Sequence, residues 1–258
     1  MHPSAMRNAR LFFEVYGGRL AQGTVVDVGA RDVDGSVRSV CPPCLGYIGV
    51  DLEPGPGVDV VLEEPYRLPF GDGSIDIVVC SSVFEHTEMF WLLFIEILRI
   101  LKPKGLFYLN VPSNGPFHRY PVDCWRFYPD SGHALVNWAK LNGYEPVLLE
   151  SFIGKQDEHM WCDFVSVFLK DGKFAGEYTA RMVHLTQGFS NATIFGHEGY
   201  ISHRMVLDDM EKLVAIKEIL EENRTLSQAG KLAAIKNIIG VPWIVVTDGV
   251  VGIRPPDR

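Results

Sequence analysis

The sequence lacks what several large protein classes require. It has no long apolar run: the longest, Met89 to Ile95, stops at Glu96 and is far too short to cross a bilayer. No membrane span is expected. Positive charge is also in short supply. Twenty-four Lys and Arg against 32 Asp and Glu leave a formal net charge of −8, which argues against wholesale binding to nucleic acid. Patterned cysteines are missing; there are five, an odd number without regular spacing, so free thiols are expected rather than a disulfide framework. The opening Met1-His-Pro-Ser-Ala-Met-Arg has no apolar core of the signal-peptide kind. A reducing, cytoplasmic setting is the expectation, and Asn191-Ala-Thr193 and Asn223-Arg-Thr225 then match the glycosylation pattern by chance. Internal repeats and low-complexity tracts are absent as well.

What the chain does have is apolar content, 47% of 258 residues, enough for a substantial core. Thr24-Val-Val-Asp-Val-Gly-Ala-Arg-Asp32 reads as a buried strand running into a tight turn at Gly29. About twenty residues on, Tyr47-Ile-Gly-Val-Asp51 is a second apolar run ending in an acid. A strand, a glycine turn, a crossover and a second acid-tipped strand form the ground plan of a nucleoside-binding βαβ unit, in which the acid takes ribose hydroxyls.

The remaining pattern alternates. A helix is expected over residues 5–21, then strands at Val58–Leu62, in the run Leu68–Cys80 and at Leu106–Val111. Between the last two lies a helix over roughly 88–102, closed by Lys102-Pro-Lys-Gly105. Asp130–Asn142 reads as another helix, and Glu145–Phe152 with Trp161–Leu169 as an antiparallel strand pair. Such alternation predicts a mostly parallel sheet covered on both faces. Residues 1–23 form an N-terminal helical segment, 24–170 the core, and 171–258 a loop-rich and helical extension. In the extension, Met210, Leu213, Ile216 and Leu220 share one helical face, and Leu226–Ile239 reads as a second helix. This pair is a candidate homodimer surface. Cys41-Pro-Pro-Cys44 reads as a rigid turn with free thiols, because no second pair of ligands has zinc spacing.

Four landmarks in order, Val-Val-Asp27-Val-Gly29, Asp51, Leu68-Pro-Phe-Gly-Asp-Gly-Ser-Ile-Asp76 and Leu98-Arg-Ile-Leu-Lys-Pro-Lys-Gly105, resemble a class I S-adenosylmethionine-dependent methyltransferase over roughly residues 20–170. The resemblance implies a Rossmann-like sheet of seven strands, with S-adenosylmethionine across the carboxyl ends of the first strands. It would place Asp27 and Gly29 along the methionine half, Asp51 on the ribose hydroxyls and Leu52 beside the adenine. Glu63 or Glu64 would lie near the adenine amine, and Ser81 and Ser82 under the sulfonium. The turn departs from the family pattern, since Ala30-Arg31-Asp32 replaces its further glycines. Arg31 must then point away or pair with an acid.

Methyl transfer to a hydroxyl needs alignment and a proton acceptor. His86, in Phe84-Glu-His-Thr87, and His118, in Phe117-His-Arg-Tyr-Pro-Val-Asp-Cys-Trp-Arg-Phe-Tyr128, both follow strands on the side where open α/β sheets bind ligands. His118, His86 and Asp123 are the candidate catalytic residues. Arg119, Tyr120, Trp125 and Arg126 suit a sugar, glycan or other polyol acceptor. A divalent metal held by His118 and Asp123 is an alternative that the spacing does not favour. Methylation of a small aromatic or amine metabolite, or a non-catalytic scaffold of the same fold, are the competing functions.

Overall fold

The computed structural model describes residues 2–156, 161–206, 208–221, 227–239, 244–247 and 250–253. His159, Leu226 and the carboxyl-terminal residues 254–258 lie outside the described residues. The chain divides into two units, residues 1–155 with 162–203, and residues 156–161 with 204–258.

The first unit is built on one sheet. Its strands are β1 (Gly23–Val28), β2 (Leu45–Asp51), β3 (Val60–Val61), β4 (Ile75–Ser81), β5 (Leu101–Pro112), β6 (Val147–Gly154), β7 (Asp163–Leu169) and β8 (Phe189–Ile194), in the order β3-β2-β1-β4-β5-β7-β6-β8. The pairings from β3 to β5 are parallel; those from β5 to β8 are antiparallel. The sheet thus has eight strands, not seven. The additional one comes from the stretch expected to be loop, so the sheet does not stop near residue 170. β8 could not be read from the sequence because Phe189-Ser-Asn-Ala-Thr-Ile194 is short and half polar, and its place is fixed by pairing with β6.

Helix α1 (Pro3–Val15) covers one face. Its Phe12, Phe13 and Tyr16 pack with Val25, Ile77, Val79, Tyr108, Val165 and Val167, and Phe12 stacks on Tyr108 with ring centroids 4.7 Å apart. On the other face, α2 (Phe90–Ile100) and α3 (Ser131–Leu141) cover a cluster in which Phe107 meets both Phe94 and Phe168. The crossover from β1 to β2 holds only a 3-10 turn at Val37–Val40, and α1 covers the sheet there.

The spacing of the later landmarks has a physical cause. Arg99 of α2 donates to Glu96, Asp72 and the carbonyls of Leu68 and Phe70, and Glu96 also accepts from the Leu68 amide at 2.8 Å. Lys102 pairs with Asp76 at 2.7 Å, and Asp76 accepts from the Thr24 amide. Residues 101–105 belong to β5 with a register shift, rather than closing the helix at Gly105.

The second unit holds α4 (Asp208–Glu221), α5 (Gln228–Ile239) and the hairpin of β9 (Ile244–Thr247) and β10 (Val250–Ile253). Met210, Leu213 and Leu220 of α4 are exposed. No described helix is long and apolar enough to cross a membrane.

A close backbone approach ties β2 to its neighbours: a Cβ on Gly49 would lie 2.1 Å from the Gly57 carbonyl oxygen and 2.7 Å from the Ala30 Cβ. Neither group can swing aside as a long side chain could. Gly49→Ala is expected to lower the unfolding free energy by about 2 kcal/mol or more. Gly71→Ala, where the added methyl meets nothing within 4 Å, should change it by less than about 0.5 kcal/mol. Denaturant titration of both variants checks this, and equal effects would refute the contact's importance.

Candidate active site

Strand order reverses between β1 and β4, and the crevice at their carboxyl ends is where open α/β sheets hold ligands. Gly29 follows β1 with φ +82°, and a Cβ there would lie 2.1 Å from the Val83 side chain. Only glycine lets the two strand tips close in this way. The Gly29 and Ala30 amides both donate to the Val50 carbonyl, which joins the turn to β2.

Asp51 stands at the tip of β2, half-buried. Its oxygens accept from the amides of Arg31 and Glu53, each at 3.2 Å. A carboxylate offers about four lone-pair sites, so room for a vicinal diol remains. Arg31 pairs with Glu53 and so points away from the turn. Leu52 is 51% exposed beside Asp51, and Glu63 and Glu64 are exposed beyond β3.

Asp27, at the tip of β1, is buried, and its carboxylate accepts from the Tyr47 hydroxyl at 2.5 Å. Burial, opposed by that hydrogen bond and the Arg38 charge, pushes its pKa up to about 7. The residue braces β1 against β2 from inside.

Beyond β4, Ser81 is buried and Ser82 takes a left-handed φ of 58°, with its amide on the Asn110 carbonyl. The chain then enters a 3-10 turn, Phe84–His86. Phe84 packs against Phe90, Phe107 and Phe127. That anchorage leaves Glu85 facing inward and His86 at the rim.

The loop after β5 is clasped to this turn. The Glu85 carbonyl accepts from the amides of Cys124 (2.7 Å) and Trp125 (3.3 Å). The Trp125 indole donates to the Thr87 carbonyl, and His86 Nδ1 lies 2.6 Å from the Val122 carbonyl oxygen. As a result the rings of His86 and His118 meet edge-on, centroids 4.8 Å apart, with Tyr120 5.9 Å from His86. Burial lowers the His86 pKa and favours its neutral form. Asp123 accepts from the His118 amide at 2.7 Å and pairs with Arg126 through both oxygens. The Arg126 guanidinium holds Asp123 down at about 2. His118 Nδ1 lies 3.5 Å from Asp123 and 3.2 Å from the Pro116 carbonyl. Arg119 is exposed and donates to the Pro121 carbonyl.

The three catalytic candidates are therefore brought together, and Trp125 and Arg126 flank them. Both also line a cavity of about 370 Å³ with Phe90, Trp91, Phe127 and Trp138. Three contributors are not legible in the sequence. Phe90 and Trp91 read as core in an apolar helix, and Glu85 reads only as the acid beside a histidine. Glu85 is 1% exposed, its Oε2 has no hydrogen-bond partner among the described residues, and burial pushes its pKa up to about 8.

Comparison with known proteins adds the following. Residues 42–109 match the family described as methyltransferase domain. An uncharacterized methyltransferase of Mycobacterium marinum is 31% identical over 148 residues, 52% of this chain and 56% of that protein. One from Mycobacterium tuberculosis is 38% identical over 113 residues, 39% and 44% of the two chains. The chain thus spans about half the length of the curated relatives it matches. Among solved structures, a Burkholderia thailandensis 1,6-didemethyltoxoflavin N1-methyltransferase, with S-adenosylhomocysteine bound, shares the fold at TM-score 0.50 and 18% identity over 65% of this chain and 79% of that one. The cyclase SpnF does so at 0.50 and 13%, over 64% and 81%.

The buried Asp27 makes a pH prediction. Its folded pKa lies above the ordinary value near 4, so the folded state binds the extra proton and stability falls as pH rises from about 4 to 7. The slope is at most about 1.4 kcal/mol per pH unit. Asp27→Asn, which can still accept from Tyr47, should flatten that slope in ligand-free protein. An unchanged slope by denaturant titration would assign the effect elsewhere.

Proposed function

We propose that this chain, which is similar over residues 42–109 to the methyltransferase domain family and over 148 residues to an uncharacterized methyltransferase, is an S-adenosylmethionine-dependent enzyme that transfers a methyl group to a hydroxyl of a sugar, glycan or other polyol, with a histidine as general base. One observation carries the reading: two loops that follow β4 and β5 place His86 and His118 in ring contact at the rim of the crevice, beside aromatic and cationic side chains.

The residues present fit the cofactor. Asp51 keeps acceptor capacity for the ribose hydroxyls, and exposed Leu52 offers an apolar edge for the adenine. S-adenosylmethionine, when bound, supplies an activated methyl on a sulfonium. The protein's part is alignment and proton removal. His118, its Nδ1 between the Pro116 carbonyl and Asp123, presents Nε2 as the base. His86 buttresses it. Asp123, held ionised by Arg126, stabilises the imidazolium that proton removal creates. Arg119, Tyr120, Trp125 and Arg126 would bind the acceptor, stacking on its C–H face and hydrogen-bonding its hydroxyls.

A second reading rests on the cavity. Its lining is mostly aromatic, which also suits a flat heteroaromatic nitrogen acceptor, and the toxoflavin enzyme of shared fold is an N-methyltransferase. The cyclase of the same fold shows why the acceptor must be argued from the site. A nitrogen acceptor needs little base assistance, so the two readings diverge at His118.

Calorimetry with S-adenosylmethionine should give micromolar binding, weakened at least about tenfold, or about 1.4 kcal/mol, in Asp51→Ala. No binding to the wild-type chain would sink the proposal. On polyol acceptors that stimulate cofactor consumption, His118→Ala should lower turnover about a hundredfold or more, with cofactor affinity nearly unchanged. Equal loss of both would make His118 structural, and little change in turnover would favour the nitrogen acceptor.

A further inference from the structure

We propose that Glu85, His86 and His118 form a binding site for one divalent transition-metal ion of the zinc class, through one carboxylate oxygen and two imidazole nitrogens. One ligand atom from each lies within 4.8 Å of the others, and His86 Nε2 is 3.8 Å from Glu85 Oε1. Metal–ligand bonds of about 2.0–2.2 Å place ligand atoms about 3.3 Å apart around a tetrahedral ion. The three groups would therefore draw in by up to about 1.5 Å around the ion.

The surroundings of the imidazoles point the same way. Each Nδ1 faces a backbone carbonyl, Val122 for His86 and Pro116 for His118. A proton held there leaves the lone pair on Nε2, the arrangement by which carbonyls orient metal-binding histidines. The carboxylate supplies an independent observation. Glu85 is almost fully buried, and its Oε2 has no hydrogen-bond partner among the described residues. An unpartnered carboxyl oxygen at such depth is costly unless something occupies it, and the same carboxyl turns its Oε1 toward His86. Asp123, by contrast, is taken by Arg126 and the His118 amide. The ligand set is thus Glu85, His86 and His118, not His118 with Asp123.

Two imidazoles and one carboxylate select zinc, cobalt or nickel over magnesium and calcium, which favour all-oxygen sites. Three protein ligands leave a coordination position open to a water or to the acceptor's oxygen. An ion there would acidify a bound hydroxyl, and His118 would then act as a ligand in place of the base, with His86 beside it as a second ligand. The site does not depend on the methyl-transfer reading.

The test uses the full chain with Cys41→Ser and Cys44→Ser, which removes the free thiol pair as a competing site. After chelator treatment, calorimetry with Zn²⁺ should show one ion at micromolar affinity or better. Co²⁺ should give a visible spectrum without thiolate charge transfer. His118→Ala and Glu85→Gln should each weaken binding by about 30-fold or more. Affinity poorer than about 100 μM, or affinity unchanged in both variants, would overturn the proposal. S-adenosylhomocysteine binding, measured on the same samples, reports separately on the methyl-transfer reading and confirms that the variants are folded.

Discussion

The Glu85 backbone carbonyl holds this site together. By accepting from two successive amides of the loop after β5, it joins that loop to the turn after β4. The Thr87 and Val122 carbonyls add to the clasp through Trp125 and His86. Main-chain groups that would otherwise face solvent at a sheet's end are satisfied by each other. Two loops distant in sequence thereby become one rim, and the contact between His86 and His118 follows from it.

The strand tips beneath that rim are set by close packing. Gly29 against Val83 and Gly49 against Gly57 leave no space for side chains, so β1, β2 and β4 meet in one relative position. Further from the site, the Arg99–Glu96–Asp72 network holds the Leu68–Gly73 loop, and Lys102 with Asp76 sets the entry to β4. Much of what makes the landmark motifs recognisable is therefore structural wiring of the sheet. The side chains placed to meet a ligand belong to the loops above it.

Three buried acids show how differently a carboxyl can be accommodated. Glu150 accepts from the Tyr16 hydroxyl and the amides of Met182 and Val183, so α1 and the chain after β7 are pinned by a satisfied network. Asp27 accepts from Tyr47. Glu85 alone of the three retains an oxygen without a partner, and it lies beside two histidines. A satisfied buried acid stabilises a fold, whereas an unsatisfied one near ring nitrogens is suited to a ligand.

The sequence by itself determined the class of fold. Apolar runs tipped by Asp51 and broken at Gly29, with helical stretches between, specify a mostly parallel sheet, because side-chain periodicity and turn chemistry act locally. The candidate residues His86, His118, Asp123, Trp125 and Arg126 were legible too, since polar and aromatic groups crowd loops that follow strands. Only the tertiary structure decided the rest. It turned Asp27 inward to Tyr47, recruited Phe189–Ile194 as the eighth strand, and set Glu85, its Oε2 without a partner among the described residues, beside two imidazoles. Those outcomes depend on burial and on pairing between segments far apart in the chain, which no local pattern of residues encodes.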